Sequence, residues 1–305
     1  MSDLSPIVLF VYNRPDHTRQ TIDALAANFL ANESELFIYS DAPKNQEAVE
    51  GVQAVRSLIK NVQGFKSITI IERDKNWGLA NSIIDGVTSI VNKYGKVIVM
   101  EDDIVTSSFF LQFMNKALNY YEAEKRVWHI SGWNCLDNVD GLEDVFFWRT
   151  MDCWGWATWN DRWQYFEKDV NKLIHEFKKK DIYKFNMNNS ENIWWQVLAN
   201  KAGKINTWAV FWYATIFKNK GLCLNPTISF VKNIGLDGTG INCVSTPMYL
   251  NKHLSEKDIN FNSIIVKEND DAFKRIVLHY RKYKKNIFIR IINKANNLIK
   301  SKIKK

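Results

Sequence analysis

Five short runs rich in β-branched and aromatic residues divide the first 130 residues, and the segments between them have helical spacing. This alternation limits the fold more than any other feature. The runs are IVLFVY (Ile7 to Tyr12), LFIYS (Leu36 to Ser40), SITIIE (Ser67 to Glu72), VIVM (Val97 to Met100) and VWHIS (Val127 to Ser131). Between them lie TRQTIDALAANF, EAVEGVQAVRSLI, GLANSIIDGVTSIV and SFFLQFMNKALNYYEAE, whose apolar residues recur every three or four positions. Near-continuous apolar strands are buried on both faces, so they belong to a largely parallel sheet covered by helices. The sequence predicts a Rossmann-like α/β fold with a mostly parallel central sheet.

Ligands of such sheets bind outside the carboxyl ends of the strands, where the strand order reverses. Polar residues gather at that edge. Asn13 and Arg14 follow the first run, Asp41 follows the second, and Glu101, Asp102 and Asp103 follow VIVM without a spacer. Three adjacent carboxylates that leave water cost several kcal/mol each unless compensated, and a divalent cation compensates them. Magnesium or manganese needs one or two protein carboxylates, with water and substrate phosphates completing the shell. One acidic cluster at a strand end therefore suffices for a metal–diphosphate site. The competing reading is a solvated acidic loop capping the helix that starts near Ser107. Asp41 taken alone reads equally as a turn or cap residue of SDAPKN.

From residue 132 to 245 the pattern changes, and this stretch holds ten of the twelve tryptophans: Trp133, Trp148, Trp154, Trp156, Trp159, Trp163, Trp194, Trp195, Trp208 and Trp212. Half are expected to pack the core, and the rest to offer sugar rings an aromatic platform. The four cysteines, Cys135, Cys153, Cys223 and Cys243, form no C-x-x-C pair, which points to reduced thiols and no zinc site. The opening MSDLSPIVLFVYNRPD is broken too early by Asn13, Arg14 and Pro15 for a signal peptide, and no run approaches the roughly 18 apolar residues of a membrane span. The expectation is a protein neither secreted nor integral to a membrane.

The formal charge of +8 is unevenly placed. Residues 272 to 305 carry twelve Lys or Arg and no acid, leaving 29 basic and 33 acidic side chains, a net −4, on the rest. In that tail Phe273, Ile276, Val277, Tyr280, Tyr283, Ile287, Phe288, Ile291, Ile292, Ala295, Leu298 and Ile299 make one apolar stripe flanked by cations. This is the pattern of a helix lying in the interface of an anionic membrane. The same stripe could instead dock on the mildly acidic body. Clustered lysines without a recognition motif do not indicate nucleic acid.

The blocks VIVMEDDIVTSSFFLQFM, VWHISGWN and FFWRTMDCWGWATW together resemble the GT-A glycosyltransferases, most closely the N-acetylglucosaminyltransferase I-like branch, and bacterial surface-polysaccharide glycosyltransferases. In that family an E-D-D motif follows a central strand. An apolar helix beginning F-F comes next, then a strand ending S-x-W-N and an R-T-x-x-x-x-G-W segment. All four occur here in order between residues 97 and 160, and IYSD resembles the family's second strand end. The resemblance implies a GT-A fold, a nucleotide-sugar donor (a UDP-sugar), Mn2+ or Mg2+ on the diphosphate, and inverting transfer to a glycan hydroxyl. By motif position Asp103 would ligand the metal, Asp102 would contact ribose and metal shell, and Glu101 the donor sugar. Asp41 would sit by the base and Arg14 near uracil or diphosphate, with Asn13 beside it.

Inverting transfer also needs a base for the acceptor hydroxyl. Family members carry an aspartate in a W-D-D-W-like segment, but here SENIWWQV offers Glu191, which also reads as a capping-box residue with Ser190 opening NIWWQVLANK. Asp152 in RTMDCWGW and Asp237 in the glycine-rich IGLDGTGIN are the rival carboxylates. His129 reads as a satisfied core residue and His17 as part of the first helix start.

The organisation expected is a nucleotide-sugar-binding half over 1–131, an acceptor-binding half of the same domain over 132–245, a connecting strap over 246–271, and the basic amphipathic tail over 272–305. The setting expected is cytoplasmic, at the inner face of the plasma membrane, with a lipid-linked glycan acceptor in surface polysaccharide or lipopolysaccharide synthesis. A sugar nucleotidyltransferase would place a glycine-rich loop after the first strand, where this chain has YNRPDHTRQ. A non-catalytic carbohydrate- or membrane-binding module is the remaining alternative.

Overall fold

The computed structural model describes residues 4–237, 253–262 and 264–282. The chain begins as the alternation requires: β1 (Ile7–Val11), α1 (Pro15–Ala26), β2 (Glu35–Ser40), α2 (Val49–Ile59), β3 (Ser67–Glu72), α3 (Leu79–Tyr94) and β4 (Lys96–Glu101). Pro15 opens α1, where its missing N–H costs nothing. Gly95 closes α3 in the left-handed region at φ 80°. Then follow β5 (Ile104–Thr106), α4 (Phe110–Tyr120), β6 (Val127–Ser131), β7 (Val145–Trp148), β8 (Trp156–Trp159), α5 (Asn160–Trp163), α6 (Val170–Glu176), α7 (Lys179–Phe185), α8 (Trp194–Lys201), α9 (Ala209–Lys218), β9 (Leu222–Pro226) and β10 (Val231–Asn233).

Eight strands form one sheet in the order β3-β2-β1-β4-β8-β6-β9-β7, and β10 pairs with β5 in a small second sheet. Strands β3, β2, β1, β4, β6 and β9 run one way, while β8 and β7 run against them. The sheet is thus mixed but mostly parallel, and it continues unbroken from the first 131 residues into the tryptophan-rich part. Alternation along β1 sends Val8 and Phe10 to one face and Ile7, Leu9 and Val11 to the other. Both faces are dry. One core packs under α3 and α9, and the other under α1, α2 and α4.

Most tryptophans go to packing, which corrects the expectation that half would form a sugar platform. Eight of the ten are buried, Trp156 and Trp212 completely, and only Trp154 and Trp195 retain exposure. Trp156 stacks on Trp208 at 5.1 Å, and Trp163 meets Trp212 at 4.9 Å. An indole carries enough apolar area to dominate whatever core it enters.

The tail also departs from its expected boundary. Residues 270–282 are helical, and Ala272, Phe273, Ile276 and Val277 are buried. Arg149 lies over the Phe273 ring at 4.6 Å and grips Glu268 at 2.7 and 2.6 Å. The first turns therefore dock on the body, with Leu278 left 62% exposed. The rest of the stripe, from Tyr283 to Ile299, lies outside the described residues. Among the described residues no helix is long and apolar enough to cross a membrane.

Candidate active site

Strand order reverses between β1 and β4, so their carboxyl ends open a crevice. Arg14 leaves β1 into this crevice, and Asp102 and Asp103 form the tight turn joining β4 to β5. Because β5 intervenes, the acids do not cap α4. Ser107 Oγ accepts from the Phe109 amide at 3.3 Å, and Asn28 Oδ1 accepts from the Leu111 amide at 2.9 Å, so the cap reading of the cluster is replaced. Thr21 of α1 donates to the Asp102 carbonyl at 2.9 Å, fixing the turn against the helix.

One guanidinium nitrogen, Arg14 Nη2, donates to both acids, to Asp102 Oδ1 in a short contact and to Asp103 Oδ2 at 2.8 Å. Burial works against the Arg14 charge, yet the two carboxylates hold its pKa above the ordinary value. Burial pushes Glu101 up to about 8, and the charges of Asp103 and Asp102 add to the rise. Burial also lifts Asp102 to about 6 against the pull of Arg14. Three carboxylates thus share one cation, and negative charge is left over. Among the described residues, Asp102 Oδ2 is moreover buried without a hydrogen-bond partner. An orphaned carboxylate oxygen beside surplus negative charge fits a hard divalent cation such as Mn2+ or Mg2+, and Asp103 and Asp102 are the residues that would hold it.

The other residues named from the sequence are distributed as follows. Asn13 lies against α2, where its carbonyl would be 2.6 Å from any Cβ at Gly51. Asp41 is buried at the same edge, but its oxygens already accept from the amides of Ala42 (3.0 Å), Trp77 (2.8 Å) and Gly78 (2.8 Å) and from Asn76 Nδ2 (3.1 Å). It organises the loop ahead of α3. Asp237 reaches His17 Nε2 at 3.2 Å, which brings it to the crevice; residues 238–242 of its glycine-rich turn lie outside the described residues. Asp152 lies against β9, where Oδ2 accepts from Asn225 Nδ2 at 3.0 Å. Its carbonyl accepts from His129 Nε2 at 2.9 Å. Trp212 donates to the other ring nitrogen of His129 at 3.2 Å, and burial holds this histidine down to about 3, neutral and saturated as a core residue should be.

Glu191 stands in the turn before α8, on a different element, with its amide donating to the Asn186 carbonyl at 3.2 Å. The capping box expected from Ser190 and Glu191 is not formed. Ser190 Oγ donates back to the Met187 carbonyl at 2.6 Å, and Asn186 Oδ1 accepts from the Trp194 amide at 2.8 Å.

Two groups escaped the sequence reading. After β3, Arg73 lies over Trp77 at 4.0 Å and over Tyr39 at 5.1 Å, and it pairs with Asp85. The run RDKNWG carries the turn residues that signal such a loop. The second group is Ile234 and Gly235, which lie directly on Asp103: the Ile234 amide donates to the Asp103 carbonyl at 2.9 Å.

No protein-family model matches the chain, and no curated protein matches it. Among solved structures it is similar to the mannosyltransferase PcManGT from Pyrobaculum calidifontis in complex with GDP-Man and Mn2+, with TM-score 0.39 and 10% identity over 71% of this chain and 70% of that one. It is also similar to S. aureus TarS, with TM-score 0.29 and 13% identity over 41% of this chain and 21% of that one, so it spans about a fifth of TarS.

Proposed function

We propose that this protein is a metal-dependent, inverting glycosyltransferase that moves a sugar from a UDP-sugar to a hydroxyl of a glycan acceptor. The observation that carries the reading is the Arg14–Asp102–Asp103 cluster at the reversal between β1 and β4, with an orphaned carboxylate oxygen inside it. The ordered E-D-D, S-x-W-N and R-T-x-x-x-x-G-W blocks support it independently. The bound cation would supply Lewis-acid stabilisation to a departing diphosphate. Arg14 adds a second positive charge at the same place and orients Asp102 and Asp103. Glu101, protonated or not at neutral pH, presents a carboxyl group to the donor sugar.

Asp152 is the base of this proposal, because Asn225 fixes one of its oxygens and leaves the carboxylate a defined direction, as a group that takes a proton requires. Glu191 and Asp237 are the alternatives it displaces. The acceptor is a lipid-linked glycan of bacterial surface polysaccharide or lipopolysaccharide synthesis. The cationic tail beyond residue 282 holds the enzyme on the anionic cytoplasmic leaflet where that acceptor lies.

The test is release of UDP from a panel of UDP-sugars with Mn2+, with and without chelator. Metal-dependent release is expected, together with its loss in Asp103→Asn at unchanged melting temperature. A folded Asp103→Asn protein with full release would refute the assignment.

A further inference from the structure

Residues 231–237 cross the acidic turn, and three glycines permit the crossing. The segment enters as β10, which pairs with β5 through Val231 to Thr106, Lys232 to Val105 and Asn233 to Ile104. Val231 is fully buried, in a notch floored by Gly132 and Gly155. A Cβ at Gly132 would stand 3.1 Å from Val231 Cγ1, and one at Gly155 would stand 2.9 Å from it. Gly155 is the glycine of the R-T-x-x-x-x-G-W block, so part of that motif serves to seat Val231.

Four residues on, the chain meets the carboxylate. A Cβ at Gly235 would lie 2.2 Å from Asp103 Oδ2 and 2.9 Å from Arg14 Nη1. The Ile234 amide holds the Asp103 carbonyl at 2.9 Å, and the Gly235 amide donates to Asn233 Oδ1 at 2.7 Å. At the far end Asp237 reaches His17, three residues beyond Arg14.

We propose that segment 231–237 is a clamp that fixes the Asp103 carboxylate, with Gly235 as its positioning residue. Arg14 bounds the carboxylate on one side and the Gly235 backbone on another. A side chain at 235 cannot be absorbed by the segment, which is seated at Val231 and tied at Asp237, so the carboxylate itself must turn. Ligand groups require placement within about 0.5 Å, and disturbing the groups that orient a metal ligand typically costs about 10–100-fold in metal affinity. The inference rests on Asp103 being a metal ligand, and its test separates the two.

The experiment measures Mn2+ binding to the full-length protein in the presence of UDP by electron paramagnetic resonance, beside thermal melts. Gly235→Ala is expected to weaken Mn2+ binding at least about tenfold with a native melt, while Asp103→Asn abolishes it. Parental affinity in Gly235→Ala, with Asp103→Asn inactive in binding, overturns the clamp and spares the ligand assignment. Retained binding in Asp103→Asn overturns both. Should Gly235→Ala not fold, Asp237→Ala loosens the far tie without adding bulk. A fall in its Mn2+ affinity supports the clamp, and an unchanged affinity overturns it.

Discussion

Removing the ionisable carboxyl of Glu101 should make this protein more stable at alkaline pH, and the effect should depend on pH. In the folded chain the Glu101 carboxyl titrates at about 8 against an ordinary 4.5, because burial and the charges of Asp103 and Asp102 disfavour its ionised form. A carboxyl whose folded pKa is raised stabilises the fold while protonated. That contribution is complete below the ordinary value and is lost as pH rises through the folded one. The window runs from 4.5 to about 8. At 1.36 kcal/mol per unit the whole shift corresponds to ~5 kcal/mol. Glu101 is only partly covered, and solvent screening reduces the figure to ~2–3 kcal/mol. For a domain of this size that is a fall in melting temperature of roughly 5–10 °C between about pH 5 and pH 8.5. Glu101→Gln keeps the shape without the charge, so it should match the parent near pH 5 and melt several degrees above it near pH 8.5. Millimolar Mn2+ should raise the parent at the higher pH. The assay is a set of circular-dichroism melts across this range in chelator and in Mn2+. A Glu101→Gln protein that melts below the parent near pH 8.5, or a difference that does not vary with pH, would refute the reasoning.

Further outcomes follow from the proposed base and from the tail. Asp152→Asn is expected to lower kcat by about 100-fold or more with little change in KM for the donor, whereas Glu191→Gln stays within about twofold; the reverse pattern in steady-state kinetics would move the base to Glu191. A chain ending at Asp271 loses buried Ala272, Phe273, Ile276 and Val277, and at roughly 1.5–3 kcal/mol per large apolar side chain it should melt much lower or aggregate. A chain ending at Lys282 should keep its melting temperature and lose sedimentation with anionic liposomes at low salt. Liposome binding undiminished in the latter would remove the membrane role from residues 283–305.

The sequence alone determined the parts of this protein that depend on local pattern. A run such as IVLFV or VIVM is apolar at every position, which is the pattern of a strand buried on both faces, and the amphipathic segments between such runs are the helices that cover them. The location of Asp102 and Asp103 at the carboxyl edge of the sheet follows from those strands, because the end of a strand is written next to it in the chain. Strands β7 and β8, VFFW and WATW, were not legible, since four residues rich in aromatics fit a strand, a helix or a loop equally. The tertiary structure decided the rest. It sent eight of the ten tryptophans inward, a choice that indole, apolar in body and polar at one atom, leaves to its neighbours. It filled Asp41 with four donors, three of them from residues 76–78. It set Arg14 on two carboxylates that lie 88 and 89 residues away, and it laid Gly235 on Asp103. Each of these is a contact between distant segments whose strength depends on burial and on distances of a few ångströms, and neither quantity exists until the sheet has brought the segments together.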